Sequence, residues 1–328
     1  MAELIKTGIT KLLNGVAPNI NAYKIEKETR KIGWSICRGI LLFCMSFVLL
    51  YPLIYMISVA FRPQEQIFDP TVIWVPKSLT WDNIITAYKL MEYPTALKHT
   101  AILGIVSSIL QVISCAVVGY GFARFKFKGK SLLFAMVIFT IIVPPQTVII
   151  PLYIEYRFFD FFGLGRLIGL LRGEDLTANL LNTVWAFYLP AIFGVGIRSG
   201  LFIYMFRQFF RGMPVELEDA AYVDGCGPVR TFIKVMVPNA APVFLTVFLF
   251  SLVWYWNDYF FTSMFSNQFT VSTVLTSRQV IDVATSQREF SIAHQQAGCL
   301  LAIMPVLTLY IFLQKYFTES IERTGIVG

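Results

Sequence analysis

Long apolar runs constrain this chain more than any other feature, because each is close to the length that crosses a lipid bilayer. The run at residues 132–142, for example, contains no charged side chain. A hydrocarbon core about 30 Å thick requires about 20 helical residues, whereas a membrane-spanning β-barrel would alternate apolar with polar residues. The sequence therefore predicts an all-α membrane protein.

The apolar runs divide the chain into helices, tails and loops. Polar residues form one tail at 1–35, in which LIKTGITKLL is either a helix on the membrane surface or a poorly ordered segment, and another at 318–328. Three prolines, Pro144, Pro145 and Pro151, predict a kink in the third run. The sequence GVGIRSG breaks the fourth. Six transmembrane helices are predicted, at residues 36–61, 100–123, 131–156, 183–210, 239–264 and 293–317.

The charge distribution predicts membrane topology rather than nucleic-acid binding. The net charge is +7, but the Lys and Arg residues lie beside the apolar runs, as the positive-inside rule describes. Residues 124–130, RFKFKGK, carry four cations in one short loop, which places this loop in the cytoplasm. Both termini then lie on the same side. No cleavable signal peptide is evident, so the first run is expected to remain as a helix.

No pattern in the chain indicates a metal site, a disulfide or a nucleotide site. The five cysteines contain no CxxC pair, and all but Cys226 lie in apolar runs, which predicts free thiols. His99 and His294 lie near helix ends, without neighbours at metal-ligand spacing. A GxxxxGK[ST] phosphate loop is missing as well, so ATP is not expected to bind this chain.

One cytoplasmic segment, residues 211–238, is too long and too amphipathic for a simple connector. A proline and three acidic residues are typical of a helix start, and Gly225 is typical of a helix end. The pattern predicts a short helix at 215–223, a glycine turn, and a second amphipathic stretch at 229–237 that stops at Pro238. The alternative is an ordinary solvated linker.

This segment resembles the EAA signature of ABC importer permeases, E-A-A-x3-G-x9-I-x-L-P. Asp219-Ala220-Ala221 is followed at the same spacings by Gly225 and by a final Pro238. In that family the loop forms a cytoplasmic coupling helix, which docks on the ATP-binding subunit. The resemblance implies a thin surface at the two alanines, a sharp turn at the glycine, and an acidic contact from either of two adjacent carboxylates. The coupling-loop residues carried over are Glu218, Asp219, Ala220, Ala221, Asp224, Gly225 and Pro238.

Segments outside the loop are similar to the carbohydrate branch of these permeases, in particular the second permease of maltose-type and other oligosaccharide importers. They read YGFARFKFKGK, TVWAFYLP, FRQFF, WNDYF and QKYF. The likeness implies a six-helix permease domain at 36–317 in the bacterial cytoplasmic membrane, which translocates a sugar or oligosaccharide and has no catalytic residue, metal or cofactor. It implies as partners a second homologous permease, two ATP-binding subunits that hold ATP and Mg, and an extracytoplasmic solute-binding protein.

Polar side chains within the apolar runs predict a pathway for the sugar. Polar groups in membrane helices tend to face the bundle interior or a water-filled cavity, and four in the fifth run share one broad helix face. Amide and carboxylate groups beside aromatic rings suit sugar hydroxyls. The alternative is hydrogen bonding between helices, or anchoring at lipid headgroups. The candidates are Ser251, Trp254, Asn257 and Asp258, with Gln146 and Gln111 from other runs.

The residues leave other transport functions open. They allow a permease for another small solute, or a channel or secondary carrier that works without an ATPase. A proton-coupled carrier is expected to contain a chain of buried Asp, Glu and His residues, whereas Asp258 is the only obvious acid deep in a run. A membrane-embedded enzyme would need a catalytic cluster, and the sequence offers none.

Overall fold

The computed structural model describes the backbone of residues 2–161, 163–165, 168, 177–276 and 288–325. Within these ranges it describes side chains at residue 28 and from 30 to 315, except at 288–291. Parts of the predicted outer loops at 157–182 and 265–291, and the last three residues of the predicted C-terminal tail, therefore lie outside the described residues.

The regular secondary structure in the described part of the chain is helical, apart from one isolated antiparallel bridge between Phe159 and Ala178. This confirms the predicted all-α class. A 3₁₀ turn at Gln64–Gln66 lies between the first two helices. The helices are α1 (Ala2–Ala60), α2 (Asp82–Leu90), α3 (Tyr93–Arg124), α4 (Lys130–Ile142), α5 (Pro145–Arg157), α6 (Trp185–Ile192), α7 (Ser199–Gly212), α8 (Glu216–Val223), α9 (Pro228–Asn239), α10 (Ala241–Asn257), α11 (Phe260–Phe265), α12 (Val271–Thr276) and α13 (Arg288–Gly325).

Several of these helices have the length and apolar character of membrane spans. Three qualify individually, at Arg30–Ala60 within α1, Tyr93–Arg124 in α3 and Ile292–Lys315 within α13. Two bent pairs, α4 with α5 and α9 with α10, bring the number to as many as five in the described part of the chain. The six-helix count stays a prediction, because the fourth predicted run forms two shorter helices, α6 and α7.

Two of the predicted interruptions appear as breaks between helices. The proline cluster separates α4 from α5, whose axes differ by 105°. Pro144 is extended there, because the following proline disfavours the helical conformation in the residue before it. The GVGIRSG sequence separates α6 from α7, with positive φ angles of 70° at Gly194 and 60° at Arg198.

The prediction of one continuous fifth helix at 239–264 is wrong, because two helices occupy this run. The apolar helix α10 begins at Ala241, at an angle of 79° to α9. It ends at Asn257, and α11 begins after a two-residue break. The Asp258 carboxylate accepts hydrogen bonds from the backbone N–H groups of Thr262 (2.7 Å) and Phe261 (3.4 Å), which is the interaction that starts a new helix. Asp258 therefore does not continue the helix face of Ser251.

Several other helix boundaries differ from the prediction. The backbone is helical from Ala2, so no helix boundary separates the predicted tail at 1–35 from the first span. The last helix covers Arg288–Gly325 and so continues into the predicted tail at 318–328. Helix α3 begins at Tyr93 rather than near residue 100, with a proline in its first turn, where a missing N–H is tolerated.

The stretch predicted to stop at Pro238 continues to Asn239. A π turn at Phe232–Met236 precedes the proline, and the Val237 N–H bonds to the Phe232 carbonyl five residues earlier. Proline has no N–H to donate, and a π turn is one way for a helix to absorb this irregularity. The apolar core lies around this stretch.

The largest buried cluster forms where α3, α7, α9 and α10 meet. Phe202, Phe206 and Phe210 are fully buried, and their spacing places them on one face of α7. Gly119 of α3 lies against this face, and a Cβ atom placed on it would lie 2.5 Å from the Cβ of Phe206. Close packing therefore joins α3 to α7, the helix that leads into the segment at 211–238.

Candidate functional site

The predicted coupling loop contains the short helix α8, ended by a Schellman motif. Three acidic residues occupy its first turn, where the positive end of the helix dipole favours negative charge. At its end the Cys226 N–H bonds to the Ala221 carbonyl (2.9 Å) and the Gly225 N–H bonds to the Tyr222 carbonyl (3.0 Å). Gly225 has a φ angle of 77°, a conformation that glycine adopts without strain. The predicted turn is therefore present at this glycine.

Glu218 of α8 points into the protein. It is 6% exposed, and its Oε1 accepts a hydrogen bond from the Tyr120 hydroxyl at 2.7 Å. Its Oε2 lies 3.4 Å from Nε of Arg124, an ion-pair contact without hydrogen-bond geometry. Arg124 also donates from Nη2 to the Met213 carbonyl (2.7 Å), immediately before α8. One buried carboxylate thus connects α8 to the end of α3.

The opposite surface of α8 and the turn after it are open. Asp219, Ala220 and Asp224 are exposed, as is Pro238 in α9, whereas Ala221 is buried. Large apolar side chains are exposed on the same segment: Val215, Tyr222, Val223, Val229 and Ile233. An apolar patch rimmed by charged residues is typical of a protein interaction surface. The two adjacent carboxylates therefore face different environments, Glu218 the interior and Asp219 the outside.

Two of the predicted pathway residues, Gln111 and Ser251, lie in a buried cluster between helices. The Gln111 amide donates to the Ile197 carbonyl (2.6 Å) and to the Ser199 hydroxyl (2.8 Å). Its carbonyl oxygen accepts from the Ser251 hydroxyl at 2.8 Å. Gln111 and Ser251 are completely buried. Their geometry corresponds to the alternative for these residues, hydrogen bonding between helices.

The other four predicted pathway residues line one pocket of about 260 Å³. Gln146 comes from the first turn of α5, Trp254 and Asn257 from the end of α10, and Asp258 from the break that follows. Trp254 is 41% exposed. Breaks in three predicted runs border this pocket: the break before α5, the break before α7 and the break after α10.

Arg198 also lines this pocket, although no functional role was predicted for it. Its guanidinium carbon lies 4.6 Å from the centroid of the Trp254 ring. The Asp258 carboxylate in the same wall accepts from the hydroxyl (2.8 Å) and backbone N–H of Thr262, and from the N–H of Phe261. A sequence signal for Arg198 existed: a cation within a broken apolar run is unusual in a membrane helix.

A larger cavity of about 670 Å³ lies beside this pocket and is mostly apolar. It is bordered by α4 and α5 on one side and by α6 and α7 on the other. Among the described residues no group of three or more His, Cys, Asp or Glu side chains could hold a metal ion.

The comparison with protein families decides the class of this chain. Residues 115–323 match the family described as the binding-protein-dependent transport system inner membrane component. The chain belongs to this family. The match begins in the second half of α3, ends within α13 and includes the predicted coupling loop. The chain is thus a multi-pass inner-membrane permease of an ABC importer.

Curated relatives and a solved structure agree with this family. An arabinooligosaccharides transport system permease protein, AraQ, of Halalkalibacterium halodurans is 27% identical over 295 residues, which cover 87% of this chain and 93% of the relative. The trehalose transport system permease protein SugB of Mycobacterium tuberculosis is 26% identical over 284 residues, covering 85% and 93%. A chain from the crystal structure of a bacterial ABC transporter that imports the acidic polysaccharide alginate matches with a TM-score of 0.64. It is 20% identical and covers 87% of this chain and 96% of that one, which supports the fold.

Proposed function

We propose that this chain is one of two homologous permeases in a sugar importer, and that it translocates a sugar or oligosaccharide delivered by an extracytoplasmic binding protein. Two ATP-binding subunits hold ATP and Mg and supply the energy, and this chain contributes no catalytic residue. The curated relatives that carry arabinooligosaccharides and trehalose support this class of cargo.

The observation that carries the proposal is the coupling loop. Helix α8 presents Asp219, Ala220, Tyr222 and Val223 outward. It is fixed from the inside by Glu218. A surface that is anchored in this way suits a partner whose movement is transmitted through it. We assign the contact with the ATP-binding subunit to Asp219 and the inner connection to Glu218.

Motion of α8 reaches the membrane helices through α3. Arg124 and Tyr120 lie at the end of this helix, and both contact the carboxylate of α8. The middle of α3 contributes Gln111, which bonds to Ile197, Ser199 and Ser251, and Ile197 lines the pocket. Closure of the ATP-binding dimer would move α8, tilt α3 and open the pocket alternately to each side, as in rigid-body alternating access.

The proposed topology has six spans, with both termini in the cytoplasm. Helices α6 and α7 together form the fourth span, interrupted at the pocket. The basic loop at 124–130 and the coupling loop lie on the same side, since Arg124 contacts Met213. Broken spans at a binding site are a recurrent feature of membrane transporters.

A pair of glycine variants tests the coupling role of the loop. Gly225→Val forces a β-branched residue into a positive φ angle, which costs about 1–2 kcal/mol and shifts the turn. Gly227→Val is the matched control, because Gly227 has an ordinary φ of −77° and no atom within 4 Å of an added Cβ. Gly225→Val should lower ATP-dependent sugar uptake at least about ten-fold, whereas Gly227→Val should retain it.

A pull-down of the tagged chain from cells that express the neighbouring transporter genes is the companion measurement. The chain should retain an ATP-binding subunit, and uptake should require ATP hydrolysis. Uptake that persists without any ATPase would instead favour the channel or secondary carrier. Equal uptake by the two glycine variants and the wild type would contradict a coupling role for the loop.

A further inference from the structure

The pocket of about 260 Å³ contains a cation, Arg198, that forms no ion pair with the described residues. Arg198 is half-buried, and it makes no ion pair or hydrogen bond to another residue in the part of the chain that the structure describes. The guanidinium of Arg198 lies over the ring of Trp254. A cation held over an aromatic face is fixed in direction but keeps its hydrogen-bond donors free.

Arg198 lies a full helix length away from the proposed cytoplasmic end of its span. Helix α7 has 14 residues, so its first residue lies about 20 Å along the axis from its cytoplasmic end. An ionisable side chain at such a depth is expensive unless it faces a wet cavity or a charged partner. The backbone of Arg198 is also in the left-handed region, with a φ of 60°, a conformation that tends to occur where a residue has a functional constraint.

Two longer helices direct their N-termini to the same pocket. Gln146 lies in the first turn of the 13-residue helix α5, and Arg198 is the residue before α7. The N-terminus of a helix carries a partial positive charge and favours anions. Both breaks therefore add positive potential to the guanidinium.

The negative groups of the pocket are already engaged. Asp258 receives three hydrogen bonds from Thr262 and Phe261, and it caps α11. The other negative contribution is the C-terminal end of α10 at Asn257, whose side chain donates back to the Val253 carbonyl (3.0 Å). These hydrogen bonds do not neutralise Asp258, so the unmatched feature of this pocket is the set of free hydrogen-bond donors on Arg198.

We propose that Arg198, Trp254 and the N-terminal turn of α5 form a subsite for the carboxylate of an acidic sugar residue, such as a uronic acid. The planar guanidinium matches a carboxylate by two parallel hydrogen bonds, and the indole beneath it holds the guanidinium in place. This inference rests on the proposed function and narrows its cargo to anionic sugars. It uses residues of this chain alone, so it can be tested without the partner subunits.

The test compares two probes of equal length, trigalacturonate and galactotriose, in equilibrium binding to the full chain in nanodiscs of zwitterionic lipid. The wild type should bind the acidic probe at least about ten-fold more tightly, the size expected for one charge-assisted hydrogen bond. Arg198→Gln should abolish the preference, and Arg198→Lys should keep part of it. Added salt should weaken it in the wild type.

Arg207→Gln is the matched control. Arg207 lies on α7, the helix that Arg198 directly precedes, and it also stacks on an aromatic ring, 3.8 Å from the centroid of Phe134. It does not line this pocket. Equal affinity for the two probes in the wild type, no binding of either probe at millimolar concentration, or a preference that survives Arg198→Gln would each overturn the proposal.

Retention of the ATP-binding subunit separates this inference from the proposed function. Arg198→Gln should still retain that subunit in a pull-down, because the pocket is remote from α8. If the wild type binds the acidic probe selectively but retains no ATPase, the subsite stands and the ABC mechanism fails. If the ATPase is retained and the probes bind equally, the subsite fails and the importer stands.

Discussion

Replacement of Glu218 is the sharpest test of how the predicted coupling loop is attached to the membrane helices. The carboxylate is buried between the Tyr120 hydroxyl and the Arg124 guanidinium, and the two charged side chains are 7% and 10% exposed. Glu218→Ala removes one partner of a buried ion pair and leaves the other without its counter-charge. Such changes destabilise proteins by about 3–5 kcal/mol.

Glu218→Gln should have a smaller effect. The amide oxygen can still accept from Tyr120, so the loss is limited to the charge-assisted part of the two contacts, about 1.5–3 kcal/mol. Asp219→Asn is the matched control one residue away, because Asp219 is exposed. A surface change of this kind should stay within about 0.5 kcal/mol.

The free energy of unfolding of the purified chain, from SDS titration followed by circular dichroism, gives these differences. A double-mutant cycle of Glu218→Ala with Tyr120→Phe should return a coupling energy of about 1–2 kcal/mol, since the residues share a 2.7 Å hydrogen bond. In the assembled transporter, Glu218→Gln should raise the ATP hydrolysed per sugar imported. Asp219→Asn should instead weaken retention of the ATP-binding subunit.

Two results would refute this reasoning. If Glu218→Gln and Asp219→Asn changed the unfolding free energy equally, the inner contacts of Glu218 would contribute no more than an exposed carboxylate does. If Glu218→Gln impaired retention of the ATP-binding subunit and Asp219→Asn did not, the roles of the two carboxylates would be the reverse of those assigned.

The remaining predictions concern packing around α3. Gly119→Ala should destabilise the chain by about 1–3 kcal/mol, because its Cβ would lie 2.5 Å from the Cβ of Phe206 and 3.0 Å from a backbone nitrogen. The control in the same unfolding assay is Gly212→Ala, since an added Cβ at Gly212 has no atom within 4 Å. Equal stability of the two variants would contradict the close approach of α3 and α7. Gln111→Ala should destabilise by about 2–3 kcal/mol, because buried partners lose their hydrogen bonds, and it should leave the ratio of affinities for acidic and neutral probes unchanged. A changed ratio would return Gln111 to the pathway.

The sequence predicted best those features that depend on local chemistry. The apolar runs, the proline break near Pro144 and the short helix that ends at Gly225 each follow from hydropathy, a missing N–H or a requirement for positive φ. These signals are confined to a few adjacent residues. Tertiary packing therefore does not change the local structures that these signals predict.

The orientation of individual side chains was not predictable in this way. Glu218 and Asp219 are neighbours of the same chemical type, and a helix turns by about 100° between them, so only the position of α3 decides which one is buried. Gln111 and Ser251 looked like pathway residues because each is polar in an apolar run. The two residues bond to each other although they lie 140 positions apart in the chain, and no periodicity in the sequence reveals such a contact.

The errors in helix boundaries carry information about function. The fifth run was predicted as one helix because hydropathy does not register that Asp258 can cap α11 from within an apolar segment. Hydropathy likewise treats the third and fourth runs as single spans, although each contains a break that borders the same pocket as Arg198. A continuous helix satisfies its own backbone and presents only side chains, whereas a broken one also presents helix ends and residues in unusual conformations. Each of the three breaks loses helical hydrogen bonds within the membrane, and packing alone does not explain why all three lie at one pocket. A polar ligand that bonds to the freed backbone groups would explain all three.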